Sequence, residues 1–242
     1  MFIVPYSPKT EEEKSQITRA GAVQGSYSDL AEIFARNYLK SQGFFTNSDL
    51  NQISSNQTQA PLLTYPFLDY MLTSDLSERN LLELGSGNST LLFSKLFKSV
   101  TSYETNENWF NELASRVSDN VELNLIALEK IENADFDIES IDCLLIDFAG
   151  KRTKFINSYL SKAEELAKII FLDNSDMYRK GANLLSEFGY VEVPFYGLKS
   201  GQTWVSCTSL FLSSTDSAAK ITKKISNSFT KNNFINSWDA SE

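Results

Sequence analysis

The sequence has 242 residues and is acidic, with 22 lysines and arginines against 31 aspartates and glutamates and a net charge of −9. With no dense basic cluster, this balance argues against a nucleic-acid partner. The chain contains no histidine, which excludes the usual general base, the usual zinc ligand and every nucleophile–histidine pair.

The apolar runs in the sequence are short, and this helps to predict the cellular location of the protein. No run of about 18 apolar residues predicts a membrane span, and the N-terminus lacks the basic start and apolar core of a secretory signal. We therefore expect a cytoplasmic protein with no membrane partner. Cys143 and Cys207 lie in apolar, strand-like runs. They are predicted to be buried core thiols rather than a disulfide or a metal pair.

Residues 1–78 are predicted to form an N-terminal arm and a helical cap. Residues 1–26 are polar and irregular, whereas residues 29–40 place apolar side chains at helical spacing behind a capping-box pattern. Residues 61–72 predict a further helix, bent at Pro66. Because these elements precede the first strand, we expect them to cover the functional site.

From residue 79 the pattern changes to short apolar strands alternating with helices, which predicts a doubly wound α/β domain with a mostly parallel sheet over residues 79–213. The predicted strands are 80–84, 100–103, 121–126, 141–146, 169–172, 190–195 and 203–212. The predicted helices are 89–97, 107–117, 152–167 and 177–188. The last two strands should form an antiparallel hairpin, because the loop 197–201 is too short for a helix. Residues 214–242 predict a polar tail or an amphipathic helix.

The first predicted strand ends in a glycine turn, Gly85–Gly87, and Asn88–Thr90 then opens a helix. Strand, glycine turn and helix start together can hold a nucleotide. Glycine lets the backbone approach a ligand closely, and the helix start offers unpaired N–H groups. Glycine turns also join strands to helices for structural reasons alone.

Acidic residues mark the ends of three predicted strands, where open α/β sheets bind their ligands: Glu104, Asp147 and Asp173. A carboxylate at the position of Glu104 can accept hydrogen bonds from both ribose hydroxyls of an adenosine. Thr90 stands where the dinucleotide fingerprint has Gly or Ala, which disfavours a pyrophosphate ligand. The structural alternative is that these acids cap the following helices.

Four segments together resemble the class I S-adenosylmethionine-dependent methyltransferases. LLELGSGNST is similar to their first motif, SYETNENW to the second-strand motif, CLLIDFAG to the fourth-strand motif and IIFLDNSD to the fifth-strand motif. The resemblance covers residues 62–212 and implies a seven-stranded sheet with one reversed strand. Thr90 and Asp147 would lie near the methionine end of the cofactor. By this resemblance, the cofactor would be bound by Glu83, Gly85, Ser86, Gly87, Asn88, Thr90, Glu104, Thr105 and Asp147.

A finer resemblance concerns the metal-dependent O-methyltransferases, in which Asp147, Asp173 and Asn174 would correspond to Mg²⁺ ligands. Three hard oxygen ligands would leave positions for two substrate oxygens, and the metal would lower the pKa of a bound hydroxyl. Residues 148–150 lack that family's second Asp. The alternative is that Asp173 and Asn174 form a turn and helix cap with residues 175–176. Without a metal, Asp147 or Asp173 would be the catalytic base.

Other residues near these motifs allow two interpretations each. Lys151 and Arg152 could pair with an acidic substrate or begin a solvated helix. Tyr65, Tyr196 and Trp204 could line an apolar pocket or belong to the core.

The sequence therefore predicts an S-adenosylmethionine-dependent methyltransferase that acts on an oxygen or nitrogen of a small-molecule acceptor. One alternative is an NAD-dependent oxidoreductase, which would share the glycine turn and the second-strand acid but normally has a Tyr-x-x-x-Lys relay. The other is a non-catalytic, cofactor-binding or regulatory protein on the same scaffold, which the absence of histidine favours.

Overall fold

The computed structural model describes residues 61–138, 141–200, 202 and 204–213. The predicted arm, the predicted helix at 29–40 and the predicted tail at 214–242 lie outside these residues. The described elements are α1 (Tyr65–Thr73), β1 (Asn80–Leu84), α2 (Asn88–Phe93), β2 (Ser99–Glu104), α3 (Glu107–Ala114), β3 (Val121–Leu125), α4 (Leu128–Glu132), β4 (Cys143–Ile146), α5 (Arg152–Lys162), β5 (Ile169–Asp173), α6 (Arg179–Glu187), β6 (Tyr190–Gly197) and β7 (Ser206–Ser213).

The seven strands form one sheet in the order β3-β2-β1-β4-β5-β7-β6. Strands β1 to β5 pair in parallel, whereas β7 runs antiparallel to both β5 and β6. This confirms the predicted mostly parallel, doubly wound α/β sheet with a C-terminal antiparallel hairpin. The chain fills the sheet from β1 towards β3 and then crosses to β4 on the other side. The strand order thus reverses between β1 and β4, where open α/β sheets bind ligands.

Apolar side chains cover both faces of the sheet, because successive residues of a strand point to opposite faces. Leu82 and Leu84 belong to one core cluster, which includes residues of α5 and α6, whereas Leu81 belongs to a second cluster with α1. Every residue of β4 and β5 is buried, as expected of central strands that are covered on both faces. Cys143 and Cys207 are buried free thiols, as predicted.

The observed elements differ from the predicted ones mainly at their ends. Pro66 lies in the first turn of α1, where its missing N–H costs no helical hydrogen bond, so it begins the helix rather than bending it. Helix α5 ends at Lys162, short of the predicted residue 167, and α2 ends at Phe93. The five-residue helix α4 was not predicted. In the part of the chain that the structure describes, no helix has the length and apolar character to cross a membrane.

Candidate functional site

The glycine turn lies where the strand order of the sheet reverses. Gly85 has φ +99°, a conformation that L side chains rarely adopt. A Cβ on Gly85 would lie 2.7 Å from the carbonyl oxygen of Asp147, so no side chain fits there. The Gly85 N–H donates to the Tyr103 carbonyl at 2.9 Å, and the Asp147 N–H donates to the Leu84 carbonyl at 2.9 Å. These contacts join the ends of β2, β1 and β4 at the turn.

Gly87 leaves open space beside the turn. None of the described atoms outside its chain neighbours lies within 4 Å of the position that a Cβ on Gly87 would take. Its φ of 175° is extended backbone, so its conformation does not require glycine. Its N–H donates to Thr90 Oγ1 at 2.9 Å. The missing side chain therefore gives a ligand access to the backbone.

Glu83 is fully buried beneath the turn and accepts hydrogen bonds from three hydroxyl groups. Its Oε1 accepts from Ser89 Oγ at 2.5 Å, and its Oε2 accepts from Thr90 Oγ1 at 2.5 Å and Ser102 Oγ at 2.6 Å. Ser86 Oγ lies 2.6 Å from Ser102 Oγ and extends this network to the turn itself. Glu83 therefore holds the start of α2 and strand β2 against β1 and supports the turn from below.

The buried environment of Glu83 changes the pKa of its carboxyl group. Burial raises the pKa of Glu83 from an ordinary 4.5 to about 7; its three hydroxyl donors oppose this shift, and the nearby charge of Glu104 adds to it. The carboxyl group can therefore gain or lose a proton near neutral pH.

Glu104, at the end of β2, binds three backbone N–H groups. Its Oε2 accepts from the Ser86 N–H at 2.9 Å, and its Oε1 accepts from the N–H groups of Thr105 at 2.8 Å and Asn106 at 2.7 Å. A carboxylate offers about four acceptor positions, so one remains. A ribose that presents two hydroxyls would fill that position and displace one N–H. The cap of helix α3 is a different side chain, that of Asn106.

We call Glu83, Gly85–Gly87 and Glu104 the turn side of the site. The partners of its two carboxylates are hydroxyl and backbone N–H groups, which carry no net charge. Among residues that the structure describes, no ion pair involves Glu83 or Glu104. Asn88 and Thr105, also predicted to bind a cofactor, are half-buried beside the turn.

Arg152 begins helix α5, yet its side chain is only 7% exposed. Its Nη2 lies 2.9 Å from Asp147 Oδ1, its Nε donates to the Phe148 carbonyl at 2.9 Å and its Nη1 donates to the Asp173 carbonyl at 2.6 Å. Its guanidinium carbon also lies 4.9 Å from the centre of the Tyr178 ring. The interpretation of Arg152 as part of a solvated helix start is therefore wrong.

Asp173 and Lys199 form a buried ion pair, with each side chain 2% exposed. Lys199 Nζ donates to Asp173 Oδ2 at 2.5 Å, and Thr208 Oγ1 donates to Asp173 Oδ1 at 2.6 Å. In the amide orientation that matches its neighbours, Asn174 donates to Asp173 Oδ2 at 2.8 Å and accepts from Lys199 at 2.9 Å. No local pattern in the sequence identifies Lys199, because only the pairing of β7 with β5 brings its loop to Asp173.

We call Asp147, Arg152, Asp173 and Lys199 the ion-pair side. Burial and the neighbouring charge of Asp173 hold the pKa of Asp147 well above its ordinary value, while Arg152 and Lys199 oppose this shift. The Asp147 side chain is 20% exposed, against 2% for Asp173. Of the two predicted catalytic carboxylates, only Asp147 is therefore open to a substrate.

Magnesium does not fit the residues predicted to bind it. Asp147, Asp173 and Asn174 do lie together, but Arg152 and Lys199 already neutralise the two carboxylates, and both oxygens of Asp173 accept hydrogen bonds. Mg²⁺ requires oxygen ligands and would add two positive charges beside two cations. The described residues include no group of three or more histidines, cysteines, aspartates or glutamates that could hold a metal.

The aromatic residues predicted near the site differ in exposure. Tyr65 is 1% exposed and belongs to the core. Tyr196 and Trp204 are 59% and 58% exposed, near the loop that joins β6 to β7. Only these two are therefore available to a ligand.

Similar solved structures include several methyltransferases. One is the precorrin-6y C5,15-methyltransferase of Geobacter metallireducens, with 16% identity over 61% of this chain and 87% of that chain and a TM-score of 0.47. Another is the O-methyltransferase TomG of Streptomyces achromogenes in complex with S-adenosylmethionine, with 14% identity over 84% and 99% of the two chains and a TM-score of 0.47. Fibrillarin of Aeropyrum pernix, with natively bound S-adenosylmethionine, has 13% identity over 60% and 74% and a TM-score of 0.47.

Neither a protein-family model nor a curated protein sequence matches the chain. At these identities and TM-scores the solved structures bear on neither the site residues nor the substrate.

Proposed function

We propose that this protein is an S-adenosylmethionine-dependent methyltransferase. The observation that carries the proposal is the turn side, where Glu104, bound among the described residues by neutral N–H groups and by no cation, lies beside an open glycine turn. S-adenosylmethionine has a sulfonium and an ammonium against one carboxylate and is a net cation, which such a site attracts. Thr90 stands where the dinucleotide fingerprint has Gly or Ala, which disfavours the pyrophosphate of NAD.

The cofactor would lie across the turn between the ends of β1, β2 and β4. Gly85 and Gly87 let the backbone approach it, and Glu104 offers its remaining acceptor position to the ribose. Asp147 lies on the opposite side of the turn from Glu104, where the resemblance implies the methionine end. Ser86, Asn88, Thr90 and Thr105 complete the proposed contacts, with Glu83 as their support.

The reaction would transfer the methyl group of the sulfonium to an oxygen or nitrogen of the acceptor. Holding donor and acceptor in line accounts for much of such a rate enhancement. Where the acceptor must lose a proton, we propose Asp147 as the base, since its side chain is 20% exposed and burial beside Asp173 raises its pKa. Asp173 is not proposed, because both its oxygens are occupied.

The proposed acceptor is a small molecule, and the proposed location is the cytoplasm. A net charge of −9 would repel a nucleic-acid backbone. Two buried free thiols fit a reducing compartment.

Calorimetric titration with S-adenosylmethionine, S-adenosylhomocysteine and NAD tests the cofactor. We expect micromolar binding of the first two and none of NAD. Binding of NAD alone would overturn the proposal in favour of the oxidoreductase. Cofactor binding without turnover across a broad panel of oxygen and nitrogen acceptors would favour the non-catalytic alternative.

Gly87→Val tests the position of the cofactor. Because a side chain at Gly87 enters open space and its backbone is extended, the variant should fold normally. Its affinity for S-adenosylhomocysteine should fall at least about tenfold, equivalent to about 1.4 kcal/mol, with Gly87→Ala intermediate. Equal affinity in Gly87→Val and the wild type would show that the turn faces away from the ligand.

A further inference from the structure

The four charged side chains of the ion-pair side neutralise one another. Arg152 lies 2.9 Å from Asp147, and its Nη1 also lies 3.8 Å from Asp173 Oδ2, the oxygen that pairs with Lys199. Two carboxylates therefore share two cations in a largely buried space. A divalent cation added to this group would leave a net charge of about +2 away from water, which is strongly unfavourable.

The oxygen atoms that a metal would need are already engaged. Asp173 uses both oxygens, one for Thr208 and one for Lys199. The amide oxygen of Asn174 accepts from Lys199 at 2.9 Å and from Ser206 Oγ at 3.1 Å. Asp176, the next carboxylate along the chain, accepts from the Cys207 N–H at 3.1 Å. Asp147 has 20% of its side chain exposed, whereas Asp173 has 2%.

The loop that carries Lys199 is anchored to helix α1. The Tyr65 N–H donates to the carbonyl of Leu198 at 3.0 Å, one residue before Lys199. Thr64 Oγ1 donates to the carbonyl of Phe195 at 2.9 Å. These bonds fix the backbone on one side of Lys199, so its ammonium is a built-in part of the site.

We infer that the ion-pair side of this site receives the methyl acceptor without a divalent cation, because Lys199 and Arg152 supply the positive charge that a metal would bring. This inference rests on the proposed function and specifies its acceptor. Without a metal to chelate, the acceptor needs no pair of neighbouring oxygens. It presents a single nucleophilic oxygen or nitrogen to Asp147. Lys199 is then a positioning residue that holds the end of β5, while Asp147 contacts the substrate.

The first test titrates the full-length protein, after treatment with a chelator, with Mn²⁺ and separately with Mg²⁺. Calorimetry and the thermal unfolding midpoint report binding without any need for activity. We expect no binding of either ion at millimolar concentration. Mn²⁺ binding to the wild type that is abolished in Asp173→Asn would overturn the inference.

The second test removes the positive charge of Lys199. Lys199→Met keeps an apolar stem and leaves the oxygens of Asp173 and Asn174 without the ammonium. Its affinity for Mn²⁺ should be at least about tenfold higher than that of the wild type. Lys199→Arg is the matched control, because it keeps the charge and should bind no Mn²⁺. A folded Lys199→Met that binds Mn²⁺ no better than the wild type would overturn the inference; if this variant does not fold, the wild-type titration decides.

Titration with S-adenosylhomocysteine, without metal, separates this inference from the proposed function. Absence of cofactor binding together with absence of Mn²⁺ binding would contradict the proposed function only. Cofactor binding together with Mn²⁺ binding that depends on Asp173 would contradict the metal-free site only.

Discussion

The two sides of the site use the same residue type in different ways. Each places carboxylates at the carboxyl ends of neighbouring strands. On the turn side, Glu83 and Glu104 are bound by hydroxyls and backbone N–H groups, which orient a carboxylate without bringing a positive charge to it. On the ion-pair side, Asp147 and Asp173 are bound by a guanidinium and an ammonium. The partner, rather than the acid, thus decides whether a ligand meets a net negative charge.

This difference also predicts which mutations reduce the stability of the fold and which reduce ligand binding. A buried ion pair stabilises a fold little in net terms, but removing one partner is costly because the other charge stays buried. Neutral donors around a carboxylate can be exchanged for a ligand at smaller cost. We therefore expect mutations on the ion-pair side to affect folding most, and mutations on the turn side to affect binding.

The largest effect is expected for Asp173→Ala, which leaves the Lys199 ammonium buried and unpaired. Urea unfolding should show a loss of roughly 3–5 kcal/mol. The double variant Asp173→Ala/Lys199→Met, which removes both charges, should recover most of this loss. If Asp173→Ala alone unfolds at the same urea concentration as the wild type, mutations on the ion-pair side do not affect folding more than mutations on the turn side.

The pH dependence of stability probes the turn side through Glu83. Its folded-state pKa of about 7 lies above the ordinary 4.5, so the folded protein binds the proton more tightly than the unfolded chain. This contribution is fully present below pH 4.5 and is lost as the pH rises through 7, a fall of roughly 3 kcal/mol.

Glu83→Gln is the control for this effect, because an amide keeps the size of the side chain and cannot titrate. Urea unfolding at pH 5 and at pH 8 should give a smaller difference in the variant than in the wild type. Equal differences would show that Glu83 does not titrate in this range.

A smaller effect is expected for Glu104→Gln. The amide has one acceptor oxygen instead of two and turns its NH₂ towards a backbone N–H, so the ribose loses its proposed partner. Affinity for S-adenosylmethionine should fall about tenfold, or about 1.4 kcal/mol. Glu107→Gln, an exposed neighbour in α3, should bind as the wild type does. If Glu104→Gln binds equally well, Glu104 does not belong to the cofactor site.

The features that could be predicted from the sequence are those encoded by a local pattern. The turn at Gly85 follows from a strand, a glycine pair and a helix start within a few residues, and the sheet follows from alternating strands and helices. The hairpin of β6 and β7 follows from the short loop between them. The buried Glu83 also had a local signal, since Ser89 and Thr90 are the second and third residues of α2, directly after the turn.

The ion-pair side could not be predicted, because its contacts depend on how distant segments pack. Nothing in the residues around Arg152 distinguishes a buried arginine from a solvated one at a helix start. Lys199 reaches Asp173 only because β7 inserts between β5 and β6. The magnesium hypothesis was made without these two cations, because the sequence identifies the three oxygen-bearing residues but not the side chains that pack against them.

The late position of β7 in the chain also determines the order in which the carboxylates of the two sides gain their partners during synthesis. All hydrogen bonds of Glu83 and Glu104 described above are made within residues 83–106, so these partners are present once those strands have left the ribosome. Asp173 can bind Lys199 and Thr208 only later, when β7 pairs with β5. Until β7 is in place, the nascent chain therefore lacks two partners of Asp173, whereas the partners of Glu83 and Glu104 are already present.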